Sequence, residues 1–158
     1  MNTQPPLPIA RVGDRTLGGG TMFLIAGPCV LQSLDLAVSI AEELHEICAS
    51  MDVPLVFKAS FDKANRTSAS AGRGPGFEKG LEWLHEVHER TGVQVLTDVH
   101  HPEQCAPAAE VVDILQIPAF LCRQTALPLP AAQTATPNNV TTRRSLAPWH
   151  ARPAPTTA

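Results

Sequence analysis

Short apolar segments that alternate with amphipathic helical segments constrain the fold of this chain more than any other feature. Each apolar segment gives way to polar residues within a few positions, and the four segments are 22–30, 55–59, 93–99 and 111–117. Strands that alternate with helices are typical of an α/β fold, in which helices cover a parallel sheet. The carboxyl ends of parallel strands meet at one edge of the sheet, so we expect the polar residues to gather there.

Three segments between the strands carry helical signals. The first helix begins after Ser33, a residue type that caps helix N-termini, and the second ends at Gly92, a common C-terminal stop. A third, short helix is predicted over 103–109, and the glycine-rich segment 10–21 predicts a short hairpin or a loop. Apolar residues at helical spacing predict the buried faces of the two long helices: Leu36, Ile40, Leu44 and Ile47 in the first, and Phe77, Leu81, Leu84 and Val87 in the second.

Composition and charge limit the classes of function. The chain has 158 residues and a formal net charge of −3, so no basic field favours nucleic acid. No apolar segment approaches the ~20 residues of a membrane span, and the N-terminus lacks the pattern of a signal peptide. The four cysteines fit no closed zinc site or disulfide framework. We therefore expect a cytoplasmic protein that binds neither nucleic acid nor membrane.

The character of the chain changes along its length, and we predict three parts. Residues 1–21 form an N-terminal extension with the hairpin, and residues 22–125 hold the alternating strands and helices. Residues 126–158 contain six prolines, no acidic residue and almost no aliphatic periodicity. This composition predicts a poorly ordered tail.

The segment 55–68 joins a predicted buried strand to a dense set of cations and polar donors. Lys58 and Lys63, two of the three lysines, lie five positions apart across the end of the strand, so both amines are able to reach one anionic ligand. Four donors that suit a second phosphate follow: Asn65, Arg66, Thr67 and Ser68. The segment predicts a phosphate-binding site, and a solvated polar loop is the alternative.

Two further strand ends carry chemically active side chains. Asp98 and His100 lie at the end of the third strand and suit an acid–base pair or contacts to sugar hydroxyls. Cys29 follows the first strand and suits a metal ligand, a nucleophile or an inert thiol. A mononuclear metal site needs about three or four ligands, and these three residues alone leave the choice open.

Five ordered motifs resemble those of 3-deoxy-D-manno-octulosonate 8-phosphate synthase. They are AGPCVLQS (26–33), FKASFDKANRTS (57–68), RGPGFEKGL (73–81), LTDVH (96–100) and ILQIPAFLCRQT (114–125). The related 3-deoxy-D-arabino-heptulosonate 7-phosphate synthases share the fold and the chemistry. They typically have Lys-Pro-Arg-Thr where this chain has Lys-Ala-Asn-Arg at 63–66. The resemblance therefore favours the octulosonate enzymes and keeps the heptulosonate enzymes as the alternative.

The resemblance implies a fold, a reaction and partners. The fold is a TIM (β/α)8 barrel, of which this chain would hold the first four to five βα units after a short N-terminal hairpin. The enzyme is a cytoplasmic transferase of lipopolysaccharide precursor synthesis and is usually a homo-oligomer. It condenses phosphoenolpyruvate with D-arabinose 5-phosphate, which gives 3-deoxy-D-manno-octulosonate 8-phosphate and phosphate.

The resemblance also implies roles for single residues. Lys63 would bind phosphoenolpyruvate at a site that Gln116 lines, and Lys63 and Asp98 are the predicted catalytic residues. Cys29 matches the cysteine that binds a divalent metal in one subclass of the family. The residues that would contact the sugar phosphate, partly across a subunit interface, are Lys58, Asn65, Arg66, Ser68, Asp98 and Arg123.

Two features separate this chain from the family that it resembles. The family is nearly twice as long, so its remaining metal ligands and an arginine for the phosphate of phosphoenolpyruvate would lie outside this chain. Residues 139–151, NVTTRRSLAPWHA, are similar to N-V-K-K-G-Q-F-L-A-P-W-D-A of the family, but Thr141 replaces a substrate-binding lysine and supplies no cation. We therefore predict an inactive fragment of the enzyme, with a non-catalytic phosphosugar-binding module as the alternative.

Overall fold

A five-stranded parallel sheet forms the centre of the computed structural model, which describes residues 9–63 and 73–141. The sheet order is β3-β4-β5-β6-β7, which follows the order of the strands along the chain. These strands are β3 (Leu24–Ala26), β4 (Leu55–Lys58), β5 (Gln94–Asp98), β6 (Ile114–Ile117) and β7 (Asn138–Val140). An antiparallel hairpin precedes them, with strands β1 (Ile9–Val12) and β2 (Arg15–Gly18). The fold is therefore α/β, with a half-barrel sheet and an N-terminal hairpin.

Helices connect the parallel strands. The two long helices are α1 (Leu34–Ser50) and α2 (Phe77–Thr91), and they pack against each other. A 3-10 turn (Pro102–Gln104) leads into the short helix α3 (Cys105–Ala109), and α4 (Pro128–Gln133) precedes β7. In the described part of the chain, no helix combines the length and the apolar character that a membrane span requires.

The predicted helix ends are confirmed. The Ser33 side chain accepts a hydrogen bond from the backbone N–H of Leu36 at 3.3 Å, which satisfies a donor that the first helical turn leaves free. Gly92 ends α2 in the left-handed region, with φ 67°, and its N–H donates to the carbonyl of His88. Glycine adopts this conformation without steric cost, so the stop is encoded locally.

The two long helices differ in how well periodicity predicts the buried face. In α2 the predicted residues Leu81, Leu84 and Val87 are buried, and Phe77 packs against them. In α1 the predicted face is wrong at its two ends, because Leu36 is 43% exposed and Ile47 is 47% exposed. Small side chains allow the helix to lie close to the sheet, and the buried residues of α1 are Ala37, Val38, Ala41 and Cys48.

The sheet separates two groups of core residues. Its outer face packs against the helices through Leu55, Phe57, Val95, Leu115 and Ile117. Its inner face carries Val56, Leu96 and Ile114, which pack against Val12 and Leu17 of the hairpin. Gln94, at the amino end of β5, donates a hydrogen bond to the carbonyl of Val12. The hairpin therefore covers the inner face of the sheet at the amino ends of the strands.

Two predicted segments differ from the structure. The first apolar segment forms only the three-residue strand β3, which is not buried because it lies at the edge of the sheet, and Leu24 is 37% exposed. The predicted poor order of 126–158 does not hold for 126–141, which form α4 and β7. Residues 142–158 lie outside the described residues, and the division into 1–21, 22–125 and 126–158 stays a prediction.

Candidate functional site

Polar side chains occupy the inner face of the sheet at its carboxyl edge. In a parallel sheet, directly paired residues point to the same face, and so do residues two apart on one strand. Asp98 pairs with Gln116, and Gln116 pairs with Asn139, so these three share one face. Lys58 pairs with Leu96, two residues before Asp98, and therefore faces the same side. The apolar inner layer thus ends in a polar layer at the strand ends.

Ser60 connects three of the charged groups at this edge. Its Oγ accepts hydrogen bonds from Nζ of Lys58 and Nζ of Lys63, each at 2.8 Å, and donates to Oδ1 of Asp98. Nζ of Lys58 also lies 3.5 Å from Oδ1 of Asp98. Nε2 of His100 bonds Oδ2 of the same carboxylate at 2.9 Å. We call Lys58, Ser60, Lys63, Asp98 and His100 the strand-end cluster.

Asp98 is ionised although it is buried. Burial by itself would raise its pKa, but the hydrogen bond from His100, the charge of Lys58 and the hydrogen bond from Ser60 outweigh it. Together they hold the pKa of this carboxyl well below its ordinary value. Because an ionised carboxylate only accepts hydrogen bonds, Nε2 of His100 carries the hydrogen of the His100–Asp98 bond.

The environment of Lys58 disfavours the charged form of its amine. Burial is the main cause that lowers the pKa of its amine, and the nearby charge of Lys63 lowers it further. Asp98 acts in the opposite direction, with a smaller contribution from Cys29, but does not restore the ordinary value. Two cations therefore meet at one partly buried point, which is the arrangement that a bound anion stabilises.

The loop after β4 is held by close packing. The N–H of Leu31 donates to the carbonyl of Ser60 at 3.0 Å, so the segment after β3 continues to pair with this loop. Phe61 is buried, and its ring centroid lies 5.1 Å from that of Phe77 and 5.4 Å from that of His100. Gly80 of α2 faces Phe61, and a Cβ at Gly80 would collide with the Phe61 side chain. Glycine at position 80 thus allows α2 to pack directly against the loop that carries Ser60 and Phe61.

An ion pair joins Asp62 and Arg73, which lie on either side of residues 64–72, a segment that the structure does not describe. Arg73 donates to both carboxylate oxygens of Asp62, at 3.0 and 2.7 Å, and the N–H of Lys63 donates to the carbonyl of Arg73 at 2.9 Å. The hydrogen bond from Arg73 is the main cause that lowers the pKa of Asp62. Lys63 therefore lies directly beside the Asp62–Arg73 ion pair, and its own backbone is hydrogen-bonded to Arg73.

The structure brings some predicted site residues together and leaves others apart. Lys58, Lys63 and Asp98 belong to the strand-end cluster. Gln116 lies on the same inner face, where its Oε1 accepts from Nδ2 of Asn139 at 3.2 Å. Arg123 is exposed on the loop after β6, and within the described residues no hydrogen bond or ion pair joins it to the cluster. The predicted residues Asn65, Arg66 and Ser68 lie outside the described residues.

Cys29 is exposed just after β3. Across 9–63 and 73–141, no three His, Cys, Asp or Glu side chains are grouped so that they could hold a metal ion. A mononuclear site needs about three or four such donors, so these residues alone do not fit a metal. A divalent metal on Cys29 stays a prediction.

Two residues at this edge, Ser60 and Asn139, were given no site role from the sequence, and a third, Thr141, was noted only as the replacement of a substrate-binding lysine. Ser60 lies inside the motif that carries the lysines, but a serine between two cations gives no distinctive signal. Asn139 lies in the segment that composition predicts to be poorly ordered, and only strand pairing brings it beside Gln116. Thr141 follows β7, and its Oγ1 is buried without a hydrogen-bond partner among the described residues. Its backbone N–H donates to the carbonyl of Ile117 at 3.0 Å.

Comparison with known proteins gives consistent results over most of the chain. A family model described as "DAHP synthetase I family" matches residues 7–157. A curated relative from Granulibacter bethesdensis, named 2-dehydro-3-deoxyphosphooctonate aldolase, is 55% identical over 91% of this chain and 51% of its own length. Relatives of the same name from Trichlorobacter lovleyi and Pelobacter propionicus are 52% and 56% identical over 89% and 81% of this chain. The chain spans about half the length of the curated relatives that it matches.

Proposed function

This chain belongs to the DAHP synthetase I family, and from that premise we propose that its strand-end cluster binds phosphoenolpyruvate beside D-arabinose 5-phosphate. The corresponding reaction forms 3-deoxy-D-manno-octulosonate 8-phosphate and phosphate, a transferase step in lipopolysaccharide precursor synthesis. The name of the curated relatives supports this choice, because an octonate aldolase and an octulosonate synthase act at the same carbon–carbon bond. The proposed architecture of the whole protein is a (β/α)8 barrel that assembles as a homo-oligomer.

The observation that carries the proposal is the convergence of two lysine amines at one buried serine. Both substrates are anions, and a partly dehydrated site with two ammonium groups favours an anion more strongly than an exposed surface does. In the proposed assignment Lys63 binds phosphoenolpyruvate, and Gln116 lines its site. The residues assigned to the sugar phosphate are Lys58, Asn65, Arg66, Ser68, Asp98 and Arg123, and their contacts would lie partly across a subunit interface.

The proposed chemistry uses charges that these residues supply. The enol carbon of phosphoenolpyruvate attacks the aldehyde carbon of the sugar, and the resulting cationic carbon takes up water. Phosphate then leaves by cleavage of its bond to that carbon. Ammonium groups stabilise the anionic groups during these steps, and the carboxylate of Asp98, to which Nε2 of His100 donates a hydrogen bond, accepts hydrogen bonds from the sugar hydroxyls. A divalent metal on Cys29 would draw its other ligands from beyond the described residues.

A calorimetric titration of the purified chain with phosphoenolpyruvate tests the binding part of the proposal. We expect binding that weakens about tenfold or more in Lys63→Met, because a charged hydrogen-bond donor is lost while the volume is kept. The matched control is Lys79→Met, since Lys79 lies over the Trp83 ring on α2, away from the cluster. No heat at millimolar ligand, or equal affinities for the wild type and Lys63→Met, would refute the proposal.

Thr141 leads us to propose that the 158-residue chain turns over slowly or not at all. Its hydroxyl stands at the carboxyl end of β7, where the resembled family has a lysine, and carries no charge for a phosphate. A phosphate-release assay with both substrates and a divalent metal tests this. Turnover near that of a full-length relative would contradict it, and Thr141→Lys is expected to tighten phosphoenolpyruvate binding.

The same residue favours a second candidate, a non-catalytic module that binds phosphosugars. Such a module needs the cations of the strand-end cluster but not the missing lysine. It predicts that D-arabinose 5-phosphate binds the wild type and Thr141→Lys alike, with no phosphate release from phosphoenolpyruvate in either. Absence of heat with D-arabinose 5-phosphate would exclude this candidate.

A further inference from the structure

The hydroxyl of Ser60 has every hydrogen-bonding position filled. A serine hydroxyl donates one hydrogen bond and accepts two. Ser60 accepts from Lys58 and from Lys63, each at 2.8 Å, and donates to Asp98. The residue is fully buried, with 0% of its surface exposed, so it reaches solvent and ligands only through these partners.

This hydroxyl limits the separation of the two ammonium groups. Because both nitrogens lie 2.8 Å from the same oxygen, they are at most about 5.6 Å apart, twice that distance. Like charges at this range repel, and burial together with Lys63 already lowers the pKa of Lys58. The two lone pairs of the hydroxyl and the carboxylate of Asp98 offset this repulsion. Without them, the lysine side chains would gain by moving apart.

The backbone of Ser60 is anchored independently of the lysines. Its carbonyl accepts from the N–H of Leu31, and its neighbour Phe61 is packed against Phe77 and against Gly80. The oxygen is thus a fixed point, whereas lysine side chains are long and flexible. A fixed acceptor between two flexible cations determines where those cations stand before a ligand arrives.

We infer that Ser60 is a positioning residue that holds the ammonium groups of Lys58 and Lys63 at a spacing that suits a small ligand with two anionic groups. The inference rests on the proposed function, in which phosphoenolpyruvate is that ligand, and it adds a contact with phosphoenolpyruvate to the proposed contact of Lys58 with the sugar phosphate. A ligand that carries a carboxylate and a phosphate offers separate acceptors to two ammonium groups, whereas a monoanion such as pyruvate engages one of them well. Ser60 therefore contributes to selectivity for the ligand with two anionic groups without touching it.

Affinities of Ser60→Ala for phosphoenolpyruvate and for pyruvate test the inference. We expect phosphoenolpyruvate to bind about 10- to 30-fold more weakly and pyruvate less than about threefold more weakly, since a hydrogen bond to a charged group is lost at each lysine. A variant that merely loosens the fold would weaken both ligands equally, which would overturn the inference. The matched control is Thr97→Val. Thr97 is also fully buried, and its hydroxyl donates to the carbonyl of Ala59 rather than contacting a lysine.

A double-mutant cycle shows whether Ser60 acts through Lys63. If it does, adding Ser60→Ala to Lys63→Met costs much less affinity than Ser60→Ala costs alone. Fully additive losses would contradict the inference.

Ammonium NMR spectra keep this test separate from the proposed function. Ser60→Ala should shift and broaden the side-chain signals of both lysines without any ligand present. If the wild type binds no phosphoenolpyruvate, the proposed function fails and the spectra alone decide the positioning role. If the wild type binds but Ser60→Ala changes neither affinity nor spectra, only the inference fails.

Discussion

Replacement of Asp98 with asparagine removes the carboxylate charge of the strand-end cluster while keeping the side-chain shape. The carboxylate is buried, with 8% of the side chain exposed, and its partner Lys58 is 19% exposed. At an effective dielectric constant of about 20, unit charges 3.5 Å apart attract by about 5 kcal/mol. Loss of one member of such a buried pair costs about 3–5 kcal/mol, because the other charge stays buried without compensation. We expect Asp98→Asn to lower the free energy of unfolding at pH 7 by that amount.

The pH dependence of this loss has a defined sign. The pKa of Asp98 is lower in the folded than in the unfolded protein, so its contribution is complete above the ordinary carboxyl pKa of about 4. It is lost as the pH falls from there toward the folded value. In Asp98→Asn the pKa of Lys58 should fall further, so the variant regains stability as the pH rises and that amine gives up its proton. The difference between wild type and variant should therefore be largest near neutral pH.

Urea unfolding at pH 3, 7 and 9.5, followed by far-UV circular dichroism, measures this difference. Glu42→Gln is the matched control, because it neutralises an exposed carboxylate on α1 and should change stability by less than about 0.5 kcal/mol. A loss below about 1 kcal/mol in Asp98→Asn at pH 7, or a loss that stays constant with pH, would refute the assignment of a compensated buried charge to Asp98.

Three further substitutions test other parts of the structure. Gly80→Ala should destabilise the protein by about 1–3 kcal/mol in thermal unfolding, because the new methyl group collides with Phe61; an unchanged melting temperature would contradict that packing. Arg73→Gln should raise the pKa of Asp62 toward its ordinary value in a carboxyl NMR titration, and an unaltered titration would contradict the ion pair. Thr141→Val should leave stability unchanged or raise it by up to about 1 kcal/mol, because it removes a buried hydroxyl that has no partner in the described part of the chain; a loss above about 1 kcal/mol would reveal a partner.

Elements with strong local patterns were predictable from the sequence. The central strands β4, β5 and β6 and the helices α1 and α2 carry apolar periodicity and capping residues, which act over a few positions. The strand β7 has neither, because its residues are Asn, Asn and Val. It exists through hydrogen bonds to β6, from the N–H of Leu115 to the carbonyl of Pro137 and from the N–H of Thr141 to the carbonyl of Ile117. A strand that depends on its neighbour leaves little trace in its own composition.

The candidate site, too, was predictable only in the part that local sequence patterns specify. Residue types showed that lysines and a carboxylate follow strands, and the rule that parallel strands end together brought them to one edge. Neither the residue types nor the rule about strand ends predicted that the hydroxyl of Ser60 lies between these charges. Ser60 joins cations two and three positions away to a carboxylate 38 positions away, and that union depends on the loop conformation that Phe61 and Gly80 hold. A charge arrangement at a strand end is therefore readable from sequence, whereas the group that fixes its geometry depends on packing behind it.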